Sequence, residues 1–113
     1  MRILTAALLL LAASGAAADC ARPGAAPPIP NGAKSDEAAM KEGHDAIQAY
    51  VHELEAYKAC LKQEADTAKD VSQEQAMVWL AQGDAAVDSA SYLAAQYSAA
   101  LKVFKEHQSQ TSK

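Results

Sequence analysis

The chain has 113 residues, half of them apolar, and its 10 Lys+Arg against 14 Asp+Glu give a net charge of −4. That is enough for one domain, and the acidic balance excludes the basic face of a nucleic-acid binder. Its 28 alanines against six aromatic side chains favour helix and leave a sheet little β-branched surface to pack.

Residues 1–18 have the pattern of a signal peptide. Arg2 is a short basic region, Ile3 to Ala13 is uncharged and apolar, and Ala16-Ala17-Ala18 fits a small-x-small cleavage site. Eleven helical residues reach only about 16 Å, short of a bilayer core of about 30 Å. An uncleaved anchor is therefore disfavoured. So is lipidation at Cys20, since Ala17 and Asp19 do not make a lipoprotein signal. Cleavage after Ala18 leaves about 95 residues without a membrane span, and losing Arg2 takes the charge from −4 to −5. The location implied is the periplasm or the outside of the cell.

Export places Cys20 and Cys60, the two cysteines, in an oxidising compartment. One intramolecular pairing exists, closing a loop worth about 4 kcal/mol in the chain-entropy model. An intermolecular bridge and two free thiols remain the alternatives. The spacing is not CxxC, which disfavours redox catalysis and thiolate zinc binding.

Residues 19–35 form an extended leader. Pro23, Pro27, Pro28 and Pro30 exclude helix there and favour polyproline II.

Residues 36–69 read as the first helix, with Ser35 as N-cap and Asp36 and Glu37 in the first turn. Met40, Ile47, Leu54, Leu61 and Ala68 repeat every seven residues, and Gly43, Tyr50 and Tyr57 widen the stripe. Lys69-Asp70-Val71-Ser72 is the turn, and Ser72 with Gln75 matches an S-x-x-Q capping box. The turn lacks Gly and Pro, so one continuous helix is the alternative.

Residues 73–107 read as the second helix, and 108–113 as a frayed polar tail. Leu80, Val87, Ala94 and Leu101 form one heptad series, with Gly83, Ala90, Tyr97 and Phe104 as its companion. Trp79, Ala86, Leu93 and Ala100 widen this stripe on one side. Gly83 on an apolar stripe suggests a close helix contact.

The fold expected is all-α: a long antiparallel hairpin, 36–107, with the leader tied to it. A hairpin has one interface and leaves wide stripes uncovered. The leader can cover them, since sixteen residues cross the roughly 36 Å from Asp36 to Cys60 at about 2.3 Å each. A second copy, making a dimeric four-helix bundle, is the other possible cover.

The chain has no Ser-His-Asp order, no glycine-rich phosphate loop and no CxxCH, so we assign no catalytic residue, enzyme activity or cofactor. His52 and Glu55 are the one histidine–carboxylate pair at helical metal spacing, a weak metal candidate beside the reading as a solvated face. Tyr50, Tyr57, Trp79, Leu80, Tyr97 and Phe104 are the candidate interaction face. They point to a non-catalytic envelope protein that binds a protein partner or itself. The alternative is a periplasmic small-ligand or metal-binding protein that uses the aromatic groove.

The run Cys20-x-x-Pro23, then Pro27-Pro28-Ile29-Pro30-Asn31-Gly32, then Met40, Tyr50, Tyr57 and Cys60-Leu61 resembles small exported proteobacterial proteins. These pair a Cys/Pro-rich leader with a helix carrying Met, Tyr and a second Cys. The resemblance covers residues 20–61, implies the leader-to-helix disulfide, and brings no activity with it.

Overall fold

The computed structural model describes residues 20–111. The signal-peptide pattern at 1–18 and the last two residues lie outside them. Two helices, α1 (Glu37–Thr67) and α2 (Gln73–Thr111), make up the hairpin, and there is no strand among the described residues.

The cap of α1 is Asp36 rather than the expected Ser35. Asp36 is extended, with φ −85° and ψ 176°, and its carboxylate accepts from Ala39 N–H at 2.8 Å. Ser35 is used by the leader instead: its N–H donates to the Asn31 carbonyl at 2.9 Å. The helix ends at Thr67, two residues before the expected boundary. Ala68 turns extended, at φ −69° and ψ 121°. That break lets Ala68 and Val71 pack against the buried cluster of Cys20, Leu61 and Trp79. A continuous helix would carry Val71 away from this cluster.

At the start of α2, the serine half of the S-x-x-Q capping box forms. Gln75 N–H donates to Ser72 Oγ at 3.1 Å, satisfying one of the orphan donors of the first turn. The helix runs on to Thr111, four residues past the expected end at 107. No Gly or Pro interrupts Gln108-Ser109-Gln110-Thr111, and Thr111 Oγ1 donates to the Gln108 carbonyl at 3.1 Å. Lys105 to Thr111 are exposed on every side, so this end is helical without being packed.

The helices run antiparallel. Leu61 meets Trp79, Leu54 meets Ala86 and Ala90, and Tyr97 donates its hydroxyl to the Met40 carbonyl at 3.1 Å. The heptad series of α1 is the buried one: Met40, Ile47, Leu54 and Leu61 all face the interface. On α2 the expected centre of the stripe is displaced. Trp79, Gly83, Ala86, Ala90, Leu93 and Phe104 are buried, whereas Leu80 and Ala94 are exposed and Val87 and Leu101 only half-buried. The large ring of Trp79 takes the inner position between Cys20 and Leu61, which turns the neighbouring Leu80 row outward.

Gly83 makes the close contact expected of it. A Cβ there would lie 3.0 Å from Lys58 Cγ and 3.3 Å from Lys58 Cα. Beside it, Lys58 Nζ reaches Asp84 Oδ1 at 3.1 Å across the interface.

The leader covers one groove of the hairpin. Cys20 is disulfide-bonded to Cys60, with Cα atoms 5.6 Å apart. From there the leader runs back along α1. Tyr50 donates its hydroxyl to the Gly24 carbonyl at 2.8 Å, and Pro30 seats on Gly43, where a Cβ would meet its ring at 2.8 Å. Ten leader residues thus span seventeen of α1, or about 2.6 Å each, within the reach of polyproline II. Asn31 then forms a turn, its Oδ1 accepting from Ala33 N–H at 3.0 Å, and Gly32 is buried against α2 at Ala100 and Phe104.

Candidate functional site

The surplus apolar surface lies on α2. Met77, Val78, Leu80, Tyr92 and Val103 are the large hydrophobic side chains left exposed among the described residues, and all five belong to that helix. Met77 is 62% exposed, Leu80 41% and Tyr92 66%. The cause is legible in composition. Between Gln75 and Leu101 only Asp84 and Asp88 are charged, so most of the circumference of α2 carries no charge. A helix of that kind is ordinarily buried on several sides. Here α1 takes one side and the leader part of another.

The exposed side chains concentrate at the turn end. Ala76-Met77-Val78-Trp79-Leu80-Ala81 is an uninterrupted apolar run, and of these six only Trp79 is buried. Trp79 packs the run against the disulfide cluster, and Met77, Val78 and Leu80 project from that end of the hairpin. Farther along, Val87, Ala94 and Leu101 continue from Leu80 at seven-residue spacing.

The six residues expected to form one interaction face do different things. Trp79 and Phe104 are buried in the hairpin. Tyr50 and Tyr57 are half-buried, and Tyr50 is bonded to the leader. Tyr97 is half-buried, bonded to Met40 and packed on His44 with ring centroids 5.3 Å apart. Leu80 alone is exposed. Trp79 and Phe104 went inward because they are among the bulkiest apolar groups in an alanine-rich chain. Of the exposed residues the sequence reading missed, Met77, Val78 and Tyr92 carry a sequence signal, the scarcity of charge between Gln75 and Leu101, whereas Val103 lies beyond it beside Lys102.

Comparison with protein-family models, with curated proteins and with solved structures finds no match for this chain.

The metal candidate does not gather ligands. His52 Nδ1 lies 3.6 Å from Glu55 Oε2 on an exposed face, and no group of three His, Cys, Asp or Glu able to hold an ion is found among the described residues. His44 pairs with its neighbour Asp45 at 3.5 Å and turns its ring to Tyr97, so the two histidines do not converge.

A second feature is an open cleft of about 260 Å³ between the leader and both helices. Arg22 and Pro23 come from the leader, Tyr50, Leu54 and Tyr57 from α1, and Gln82 and Ser89 from α2. No helix among the described residues is long and apolar enough to cross a membrane.

Proposed function

We propose that this chain is an exported, non-catalytic protein of the bacterial envelope or its surroundings that works by binding a protein partner through the outer face of α2. The observation that carries the reading is the segregation of exposed large hydrophobic side chains onto that one helix, with Met77, Val78 and Leu80 clustered at its first two turns. Exposed apolar side chains scattered singly need no explanation, whereas a cluster on one element is characteristic of an interaction surface.

The signal-peptide pattern at 1–18 and the Cys20–Cys60 disulfide support an oxidising location, periplasmic or extracellular. The row Leu80, Val87, Ala94 and Leu101 suits a partner helix laid alongside at a shallow angle, with small residues allowing close approach in the manner of a coiled coil. A second copy of the chain, completing a four-helix bundle, is one form such a partner can take.

A photo-crosslinking residue placed at Met77, and separately at the polar position Glu55, tests this in cells exporting the protein. Polypeptide adducts at position 77 and none at 55 are expected. Equal labelling at both positions, or none at either, would overturn the reading.

A further inference from the structure

We propose that the cleft beneath the leader is a binding site for a small aromatic monocarboxylate, with Arg22 as its anion anchor. Arg22 is the one arginine among the described residues, and it makes no ion pair or hydrogen bond there. The groups that line the cleft include no carboxylate. Tyr57 and Gln82 also line it, and neither side chain is engaged in a hydrogen bond, so a phenol O–H and a carboxamide N–H₂ are available as donors beside the guanidinium.

Tyr50 and Ser89 are committed as donors, to the Gly24 and Ala85 carbonyls respectively, so each presents only acceptor lone pairs to the cleft. The net supply is one positive charge and two donors, which suits an anion with two or more acceptor oxygens. The remaining wall is apolar and flat: Leu54, Ala86, Pro23 and the two tyrosine rings. That surface accepts a ring or short planar body. At about 260 Å³ the space lies just below the range for drug-sized ligands, which limits the occupant to about one ring and one carboxylate.

The site exists only while the leader is docked. Arg22 lies two residues from Cys20, whose bond to Cys60 holds this stretch on α1. The leader thus contributes the charge and the hairpin contributes the wall.

Phenylacetate is a suitable probe, with benzyl alcohol as the neutral relative and acetate as the anion without a ring. Titration into the oxidised protein, followed by amide and side-chain NMR shifts, should give saturable binding of phenylacetate at about millimolar or tighter, with the largest shifts at Tyr57 and Gln82. Benzyl alcohol and acetate should each bind at least about ten-fold more weakly, the loss of one good charged contact. Arg22→Gln, at an exposed leader position, should weaken phenylacetate by the same factor while the rest of the spectrum is unchanged, and Arg22→Lys should restore part of it. Absence of saturable shifts, equal binding of benzyl alcohol, or undiminished binding by Arg22→Gln would each overturn the proposal.

Discussion

Gly32 of the leader lies so close to α2 that a Cβ placed on it would overlap the carbonyl oxygen of Ala100 and come within 2.9 Å of Phe104 N. Its backbone has no positive φ, so glycine is required here for space and not for conformation. Both opposing atoms are helix backbone and cannot rotate away. Gly32→Ala should therefore lift this end of the leader off the hairpin, at a cost of about 1–3 kcal/mol as in other overpacked sites. Urea unfolding with the disulfide intact measures it. An unchanged midpoint would show that the leader is not seated on α2.

The other end is held covalently, and the sole tryptophan reports on it. Cys20 packs on Trp79 within the same buried cluster. Replacing Cys20 and Cys60 by serine should cost up to about 4 kcal/mol from the restored entropy of the unfolded loop. It should also shift Trp79 fluorescence to longer wavelength as water reaches the ring. Native-like emission from the double variant would mean that Trp79 is covered by something other than the leader.

Between these two ends, Tyr50 is the midpoint fastening. Its hydroxyl donates to the Gly24 carbonyl at 2.8 Å in an exposed setting. Tyr50→Phe keeps the ring and removes the bond, so the loss should be about 0.5–1 kcal/mol or less. Cleavage of the leader by a protease of broad specificity should quicken accordingly, and an unaltered rate would show that this bond does not hold the leader down.

The heptad series of α1 was legible because charge alternates with it: Met40, Ile47, Leu54 and Leu61 stand against Lys41, Glu42, Glu53, Glu55 and Lys62. On α2 the same method had too little contrast. With two charges between Gln75 and Leu101, the Leu80 row and the Trp79 row are equally apolar, and the choice between them is made by what meets them in space. Trp79 fills the gap beside Leu61 and Cys20, and no periodicity contains that information. Chain length and cysteine spacing allowed the path of the leader without choosing it over a second copy as the cover. Its seats at Gly43 and Gly32 did not follow from either, since each depends on which backbone lies opposite. Arg22 carried a signal that was passed over: it is the one arginine after the signal-peptide pattern.

The last turns of α2 are helical yet exposed to solvent. Lys105 to Thr111 are exposed throughout, and isolated helix ends without packing open readily. Amide exchange there should be faster by orders of magnitude than at Leu54 or Leu93, which lie in the buried interface. Equal protection would mean that this end is covered by a partner.

Met40 and Met77 allow the most direct test, because one chain carries both. Met40 is 2% exposed in the hairpin interface, and Met77 is 62% exposed at the first turns of α2. Mild peroxide oxidation of the dilute, non-reduced protein, read by peptide mass spectrometry, should convert Met77 well before Met40. Repeating it at high protein concentration, or in extract of the compartment where the protein resides, should slow Met77 alone as its face becomes covered. Equal rates in the dilute sample would contradict the packing described for the hairpin. A Met77 rate unchanged under every condition would contradict the role assigned to α2.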